Sequence, residues 1–224
     1  MEIEKNNKAL VILSGGMDST TLLYEVIEKH GKENVSAITF DYGQRHKKEI
    51  GCAMETASEL HISLKILDLY ILNEIAPSTL TREELEIPEG HYESENMKQT
   101  VVPNRNMVLI SLAASYAIGI GAKYLYYGAH SGDHSIYFDC RKEFVESISN
   151  TIKLCDETGL ILKAPYIDID KGDIVIRGKK LNVNYKSTWT CYKGKEKACG
   201  KCGSCIERLE AFEKAGISDP IEYE

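Results

Sequence analysis

Two hydrophobic patterns alternate along most of the chain. Short apolar runs, typical of buried parallel strands, are followed by stretches in which apolar residues recur at helical spacing. The runs lie at residues 9–13, 35–41, 63–69 and 124–128. The stretches with helical spacing lie at residues 21–29, 47–60, 106–119 and 141–158. Strands that alternate with helices form right-handed crossovers, so the pattern predicts an α/β fold, a Rossmann-like doubly wound parallel sheet with helices on both faces.

The segment from residue 77 to residue 102 departs from this pattern. It is polar, it lacks clear periodicity, and it contains Pro88, Gly90 and several charged residues. A connection of this length inside a compact domain is usually an active-site lid, a binding loop or a disordered segment. We predict a mobile flap at an active site, and the alternative is a passive surface loop.

A turn of small and polar residues joins the first predicted strand to the first predicted helix. Backbone N–H groups at a helix N-terminus are unpaired, and the helix dipole favours an anion there. Glycine lets the backbone approach a ligand closely, and the hydroxyl groups add donors. The sequence therefore predicts a phosphate-binding turn; a plain Ser/Gly turn that caps a helix is the alternative. Its members are Ser14, Gly15, Gly16, Met17, Asp18, Ser19 and Thr20.

This turn differs from the common phosphate-binding motifs. It matches neither the Walker pattern nor the Rossmann G-x-G-x-x-G pattern, and it carries Asp18 but no lysine. Ser-Gly-Gly-x-Asp-Ser resembles the pyrophosphate loop of the ATP pyrophosphatases, which cleave ATP between the α and β phosphates and transfer AMP to an acceptor oxygen. The resemblance implies that Leu13 and residues 14–20 bind ATP. It also implies that Asp18 and Ser19 are catalytic and that Mg²⁺ neutralises the departing charge.

Two arginines stand beside predicted strand or helix ends. Arg45 follows the second predicted strand, where its planar guanidinium could pair with a phosphate. A solvated, basic helix start is the alternative. Arg105 follows Pro103 and Asn104 at the N-terminus of the third predicted helix, another position that favours anions; an ordinary capped helix start is the alternative. We predict that Arg45 binds ATP and that Arg105 is catalytic.

The loop after the fourth predicted strand, residues 127–141, is dense in hydrogen-bonding side chains. At the carboxyl edge of a parallel sheet, such side chains can read the donors and acceptors of a purine-like ring. The predicted substrate-binding residues are His130, Asp133, Asp139 and Arg141. A metal site is less favoured because the spacing of the two histidines fits no standard zinc pattern. Cys140 is either a small buried residue or a nucleophile, and burial is the commoner outcome.

Four cysteines near the C-terminus have the spacing Cys-x7-Cys-x2-Cys-x2-Cys. Four thiolates suit tetrahedral zinc, and a closed set of four ligands leaves no position for a catalytic water, so the predicted site is structural. Gly194, Gly200 and Gly203 allow the tight turns of a metal knuckle. An iron–sulfur cluster and a redox-active Cys-x-x-Cys pair are the alternatives. The predicted zinc ligands are Cys191, Cys199, Cys202 and Cys205.

Composition narrows the class of protein. A chain of 224 residues suits one large domain, and its net charge of −7 lacks the basic footprint of a nucleic-acid-binding protein. A local basic cluster is formed by Lys193, Lys195, Lys197 and Lys201. We find no signal-peptide pattern at the N-terminus and no apolar stretch long enough to span a bilayer. We therefore expect a cytoplasmic protein without a nucleic-acid or membrane partner, whose seven cysteines indicate metal or thiol chemistry.

Taken together, the motifs resemble the 7-cyano-7-deazaguanine synthase family of the queuosine and archaeosine pathways, whose fold is of the adenine nucleotide alpha hydrolase type. The matching segments run in the expected order and span nearly the whole chain. Two positions depart from the family pattern: Asn104 stands where glycine is expected, and Phe138 where proline is expected. These departures concern local loop shape. The matching segments are residues 14–20, 41–46, 102–106, 139–141 and 190–192, with the three later cysteines.

The resemblance implies an ATP-cleaving carbon–nitrogen ligase. It would convert 7-carboxy-7-deazaguanine and free ammonia to 7-cyano-7-deazaguanine through an adenylated acid and an amide. It also implies a homodimer with one structural Zn²⁺ per chain and with Mg²⁺ bound alongside ATP. We expect residues 1–185 to form an ATP pyrophosphatase-type domain and residues 186–224 to form a zinc-binding segment packed on it.

Two other functions fit parts of the sequence. A tRNA-modifying thiolase or a lysidine synthase of the same superfamily would need a basic surface for tRNA, which a net charge of −7 does not favour. A zinc-knuckle binding module with a degenerate nucleotide fold would have no activity. The intact Ser-Gly-Gly-x-Asp-Ser turn argues against this module.

Overall fold

The computed structural model of the protein describes residues 7–91 and 95–224. Its centre is a five-stranded parallel sheet with the strand order β3-β2-β1-β4-β5. The strands are β1 (Ala9–Ile12), β2 (Val35–Asp41), β3 (Ser63–Asp68), β4 (Tyr124–Tyr126) and β5 (Ile161–Lys163). The chain moves outward in one direction from β1 to β3 and then crosses to β4 on the other side. Ligands of such sheets bind at this switch point, outside the carboxyl ends of the strands.

Helices cover both faces of the sheet. They are α1 (Met17–His30), α2 (Lys48–Glu59), α3 (Tyr70–Ile75), α4 (Arg105–Gly119), α5 (Lys142–Cys155), α6 (Lys171–Lys180) and α7 (Gly203–Lys214). Successive side chains of β1 point to opposite faces. Val11 belongs to a buried cluster with Leu22 of α1 and Ile174 of α6. Leu10 belongs to the cluster that contains Ile110 of α4. Helices α1 and α6 therefore lie on one face, and α4 lies on the other.

The predicted doubly wound α/β fold is confirmed, and the differences lie in short elements and helix ends. α1 begins at Met17, inside the predicted phosphate-binding turn. The apolar periodicity predicts a later start, because the first turn of the helix is largely polar and gives no such signal. The fourth predicted helix ends at Cys155 because the Asp156 carboxylate accepts a hydrogen bond from the Thr158 N–H and forms a turn. β5 has three residues, too few to show a period.

The segment from residue 77 to residue 102 is a packed loop over much of its described length. Leu80, Ile87 and Met97 are buried in the same cluster as the α4 side of the sheet, and a 3-10 helix spans Glu95–Thr100. Residues 92–94 of the predicted flap lie outside the described residues, as do residues 1–6 at the N-terminus. Movement of this segment as a flap stays a prediction.

The C-terminal part of the chain packs into the main core. Trp189 and Cys205 belong to the same buried cluster as Leu10. On α7, the buried Arg208 donates hydrogen bonds to both carboxylate oxygens of Asp219, at 2.7 and 2.9 Å. The division at residue 185 into two units stays a prediction. Within the described part of the chain, no helix has the length and apolar character that crossing a bilayer requires.

Candidate active site and cysteine cluster

A crevice opens at the carboxyl ends of β1 and β4, at the switch point of the sheet. Turns after β1, β2 and β4 line it, together with the first residues of α4 and α6 and part of the C-terminal segment. The predicted site residues that line it are Leu13, Ser14, Gly16, Asp18, Ser19, Arg105, His130 and Asp133. The predicted residues that stand outside this lining are Gly15, Met17, Thr20, Arg45, Asp139 and Arg141. The structure thus brings most of the predicted polar groups together.

The phosphate-binding turn is held by hydrogen bonds between its own serines. The hydroxyl oxygens of Ser14 and Ser19 lie 3.0 Å apart. Ser14 Oγ accepts from the Gly16 N–H at 3.2 Å, and Ser19 Oγ accepts from the Ser14 N–H at 3.1 Å. Gly16 is the N-cap of α1 and has no side chain with which to cap it. The N–H groups of the first helical turn are therefore left for a ligand.

Gly15 fixes this turn against two other parts of the molecule. Its φ is +91°, in the region that glycine adopts freely, and a Cβ atom there would collide with the carbonyl oxygen of Glu49 in α2. Its own carbonyl oxygen accepts a hydrogen bond from the Trp189 N–H at 3.0 Å. Gly15 therefore serves the shape of the turn.

The predicted ATP-binding set has four residues with buried side chains, which are Leu13, Met17, Ser19 and Thr20. Met17 packs with Val175 and Phe212 between α1, α6 and α7. Leu13 lies in the cluster on the α1 side of the sheet, and Thr20 is buried. These buried side chains hold the turn in position from the core side. Any contact of Met17 or Thr20 with ATP would be through the backbone, and it stays a prediction.

A buried lysine that sequence reasoning missed pairs with the turn. Lys171 Nζ, at the start of α6, lies 3.4 Å from Asp18 Oδ2 and 2.6 Å from Glu207 Oε2 of α7. Burial alone would lower the pKa of Lys171, but the carboxylates of Asp18 and Glu207 outweigh burial and raise it. The lysine therefore stays charged. Asp170, which caps α6 by accepting from the Asp173 N–H, was the available sign of a helix start.

His130 and Asp133 extend this charged network. His130 Nδ1 accepts a hydrogen bond from the Gly132 N–H at 3.1 Å, so the neutral ring carries its proton on Nε2. Nε2 lies 3.5 Å from Asp133 Oδ2 and 3.8 Å from Asp18 Oδ2. Burial raises the pKa of Asp133, and the carboxylates of Glu207 and Asp18 add to the rise, against the opposite effect of His130 and the neighbouring lysine.

Arg105 lies between two tyrosines on the other side of the crevice. Its Cζ atom is 5.8 Å from the ring centroid of Tyr42 and 5.9 Å from that of Tyr137. Its Nη1 donates to the Tyr42 hydroxyl at 3.3 Å. The preceding residue, Asn104, has φ +59° and ψ +17°. This left-handed conformation suits glycine and is tolerated by asparagine, so the departure from the family pattern preserves the loop shape.

Three predicted residues hold loops around the crevice. Asp139 Oδ2 accepts from the Asn106 N–H at the start of α4, at 3.0 Å. Arg141 Nε donates to the His134 carbonyl at 2.8 Å, and its guanidinium lies 3.8 Å from the centroid of the exposed Phe138 ring. Arg45 donates to three carbonyl oxygens of the segment that follows α3, those of Thr79, Arg82 and Leu85. Direct contact of these three residues with a ligand stays a prediction.

Cys140 lines the crevice as a buried thiol. Burial raises its pKa well above the ordinary value, and the carboxylate of Asp133 adds to the rise. Its Sγ accepts a hydrogen bond from Asn106 Nδ2 at 3.3 Å. A protonated, buried thiol is a weak nucleophile, which favours the packing role.

The four C-terminal cysteines form one buried cluster. Their Sγ atoms all lie within 4.8 Å of one another, and those of Cys199 and Cys205 are 4.0 Å apart. Zinc bound to four thiolates at about 2.3 Å requires S···S separations of about 3.8 Å, so the cluster fits a tetrahedral metal. Backbone N–H groups of Lys201 and Cys202 donate to Cys199 Sγ at 3.4 and 3.3 Å.

Comparison with known proteins agrees with this architecture. The family model for "Queuosine biosynthesis protein QueC" matches residues 8–216. A protein of Methanoregula boonei named 7-cyano-7-deazaguanine synthase is 62% identical over 217 residues, which are 97% of this chain and 99% of that protein. A protein of the same name from Caldicellulosiruptor bescii is 59% identical over 217 residues, 97% of each chain. The structure of NMN synthetase from Francisella tularensis has a TM-score of 0.52 at 12% identity, covers 96% of this chain and 79% of that chain, and shares the fold.

Proposed function

Because the chain belongs to the family of the queuosine biosynthesis protein QueC, we propose that it is an ATP-dependent ligase that converts 7-carboxy-7-deazaguanine and ammonia to 7-cyano-7-deazaguanine. Two relatives with that synthase name, at 62% and 59% identity, support this function. The observation that carries the proposal is the turn at the head of α1, which presents unpaired backbone N–H groups, Asp18 and Ser19 to the crevice at the sheet's switch point.

The chemistry requires two activations by ATP. A carboxylate is a poor electrophile because its leaving group would be oxide. Attack of the carboxylate oxygen on the α-phosphorus forms an acyl adenylate and releases pyrophosphate. Ammonia then displaces AMP and loses a proton, which gives the amide. The amide oxygen attacks the α-phosphorus of a second ATP and releases a second pyrophosphate, and loss of the two N–H protons with departure of AMP then leaves the nitrile. Protein groups in this sequence position the reactants and stabilise charge.

The residues around Asp18 fit a bound Mg²⁺. Asp18 Oδ1 is buried and has no hydrogen-bond partner among the described residues, and carboxylate oxygens are ligands that Mg²⁺ takes together with phosphates. When bound, Mg²⁺ neutralises charge on the phosphate chain. Asp18 would hold the ion, Ser19 and the backbone N–H groups of the turn would bind the pyrophosphate, and Lys171 would add a fixed positive charge.

Recognition of the deazaguanine is assigned to the loop after β4. His130 and Asp133 are its polar groups in the crevice lining, and they would contact the ring edge. Asp139 and Arg141 would act by holding α4 and this loop in place. A site that hydrogen-bonds a ring edge discriminates strongly against analogues that lack it, because its own polar groups are then left unpaired.

The cysteine cluster would hold one structural Zn²⁺ per chain. Four sulfur ligands leave no open position, so the ion would stabilise the C-terminal segment and take no part in the reaction. Metal analysis would distinguish zinc from an iron–sulfur cluster, which is the alternative.

We further propose a homodimer that acts in the cytoplasm on small-molecule substrates and binds no nucleic acid. Residues 1–185 would form its ATP-binding domain, with residues 186–224 packed on it.

The proposed function is tested by incubating the protein with ATP, Mg²⁺, ammonia and 7-carboxy-7-deazaguanine. We expect release of pyrophosphate and AMP, and a mass spectrum in which amide precedes nitrile. Parallel reactions replace the acid with tRNA or omit the acceptor. Pyrophosphate release only with tRNA would indicate a tRNA-modifying enzyme, no release with any acceptor would indicate an inactive binding module, and ADP as product would exclude cleavage between the α and β phosphates.

A further inference from the structure

The guanidinium of Arg105 is a charged group in the crevice that lacks an acidic partner. Within the described residues, no carboxylate lies within 4.0 Å of its nitrogen atoms, and its Nη1 donates a hydrogen bond to the Tyr42 hydroxyl. Arg208 differs from half-buried Arg105: it is fully buried, and it donates to both carboxylate oxygens of Asp219. A guanidinium has five N–H donors. Arg105 therefore has donors to spare where it lines the crevice.

The groups around Arg105 leave it without a carboxylate in direct contact. Burial raises the pKa of Tyr42, so this phenol stays neutral at pH 7. Against the lowering effect of burial, the Asp139 carboxylate raises the pKa of Arg105 from a distance, and Asp139 Oδ2 accepts a hydrogen bond from the Asn106 N–H. Arg105 also opens α4, where the helix dipole adds positive potential. A guanidinium with aromatic neighbours and no carboxylate in contact is suited to bind a planar anion.

A carboxylate is the anion that fits Arg105 best, because of where Arg105 lies relative to the phosphate-binding turn. The phosphate-binding turn opens α1 on one face of the sheet. Arg105 opens α4 on the opposite face, and the crevice joins the two across the switch point. Phosphates bound at the turn would leave Arg105 free. A guanidinium fork matches the two oxygens of a carboxylate and fixes its orientation.

We propose that Arg105 binds the carboxylate of the acid substrate during the first activation, which rests on the proposed function. The guanidinium fork holds both carboxylate oxygens, and one of them attacks the α-phosphorus with a lone pair that the fork leaves free: the new O–P bond forms as the bond to the pyrophosphate oxygen breaks. After conversion to the amide, the negative charge is gone. Arg105 therefore contributes to binding of the acid and contributes much less to binding of the amide.

The experiment measures the two half-reactions separately in wild type, Arg105→Gln and Arg105→Lys. The substrates are 7-carboxy-7-deazaguanine with ammonia, and the amide alone, each with ATP. Loss of a charge-assisted hydrogen-bonded pair predicts a KM for the acid about 10–100-fold higher in Arg105→Gln. The KM values for the amide and for ATP should change less than about 3-fold. Arg105→Lys, which keeps the charge and loses the fork, should fall between.

Arg177→Gln is the matched control, because this arginine is exposed and pairs with Glu25 away from the crevice. Melting temperatures report whether each variant folds, and Arg105→Lys replaces Arg105→Gln in the comparison if the latter does not. Equal losses on acid and amide, or a raised KM for ATP, would overturn the role of Arg105 and leave the synthase activity standing. No turnover of acid or amide by wild type would refute the proposed function and the role of Arg105 together.

Discussion

Lys171 Nζ lies 3.4 Å from Asp18 Oδ2, which connects the start of α6 to the phosphate-binding turn at the start of α1. Glu207 of α7 holds the same ammonium at 2.6 Å. Two helix N-termini and a buried lysine therefore direct positive potential at one place, and a carboxylate from the C-terminal segment fixes the lysine there. A phosphate chain that arrives with its own cation would find donors, charge and a metal ligand already in position.

Lys171→Met should reduce turnover by about 10²–10³-fold, because a preorganised positive charge is lost from the phosphate site. Steady-state pyrophosphate release measures this. The substitution also leaves the partly buried carboxylates of Asp18 and Glu207 without a counter-ion, at a cost of up to roughly 3–5 kcal/mol of stability. Lys171→Met/Glu207→Gln should recover part of the stability and none of the turnover.

Lys214→Met is the matched control for this prediction. That lysine is half-exposed and pairs with Asp170 and Asp173 at the other side of the same helix start. It should keep wild-type turnover. A Lys171→Met enzyme with wild-type turnover would show that the lysine only neutralises Glu207.

The raised pKa of Asp133 makes a prediction about stability and pH. Its cause is burial, with the carboxylates of Glu207 and Asp18 adding to it. A carboxyl whose pKa is higher in the folded state binds a proton more tightly there, so its contribution to stability falls as pH rises above the unfolded value of about 3.9. Asp133→Asn removes this dependence.

The difference in melting temperature between Asp133→Asn and wild type should therefore shift in favour of the variant as pH rises above the unfolded pKa of about 3.9. Thermal melts in matched ionic strength measure it. A difference that stays constant as pH rises above about 3.9 would show that the folded-state pKa of Asp133 is not raised.

The local motifs could be predicted because their chemistry is contiguous in sequence. The turn from Ser14 to Ser19 carries its own hydrogen-bond donors, and the three cysteines from Cys199 onward are spaced for one metal. The charge network could not be predicted in the same way. Lys171 and Glu207 lie on different helices, and only the packing of α6 on α7 brings them to Asp18.

A similar distinction applies to predicted ligand-binding residues whose side chains also make hydrogen bonds within loops. An arginine after a strand is a good candidate for a phosphate contact, yet the guanidinium of Arg45 donates to the carbonyls of Thr79 and Arg82. Unpaired carbonyl oxygens in a long loop compete with a ligand for the same donors. The sequence does not indicate whether such an arginine donates to a phosphate or to a carbonyl oxygen of the loop.

We expect substitution of a cysteine in the cluster to remove the metal and to lower the stability of the protein. Cys199→Ser should lose the proposed zinc in metal analysis, since a hydroxyl is a poor replacement for a thiolate. Structural zinc contributes on the order of 10 kcal/mol in isolated modules. Because Cys199 and Cys205 also belong to the main core cluster, the variant should melt early or be insoluble.

Cys155→Ser is the control for this substitution, because Cys155 is exposed and stands at the end of α5. It should keep full metal content and the wild-type melting temperature. Iron in place of zinc in the wild-type protein would assign the cluster to iron–sulfur chemistry. Full zinc content in Cys199→Ser would remove that cysteine from the ligand set.

Asp18 should be the most sensitive residue of the phosphate-binding turn. Its Oδ1 atom is buried without a hydrogen-bond partner among the described residues, and its Oδ2 atom faces Lys171 and His130. Asp18→Asn keeps the shape and removes the charge, so turnover should fall about 10²–10³-fold. Titration with Mg²⁺ should require higher concentrations for half-maximal pyrophosphate release, because the proposed metal ligand has lost its charge.

Asp173→Asn is the matched substitution, since Asp173 also lies in the first turn of a helix but is exposed and pairs with Lys214. It should change turnover by less than about 2-fold, because exposed ion pairs contribute little. Ser14→Ala tests the same turn through the hydroxyl that joins Ser19 and the Gly16 N–H. Near-wild-type pyrophosphate release by both Asp18→Asn and Ser14→Ala, with unchanged melting temperatures, would mean that ATP is cleaved elsewhere in the molecule.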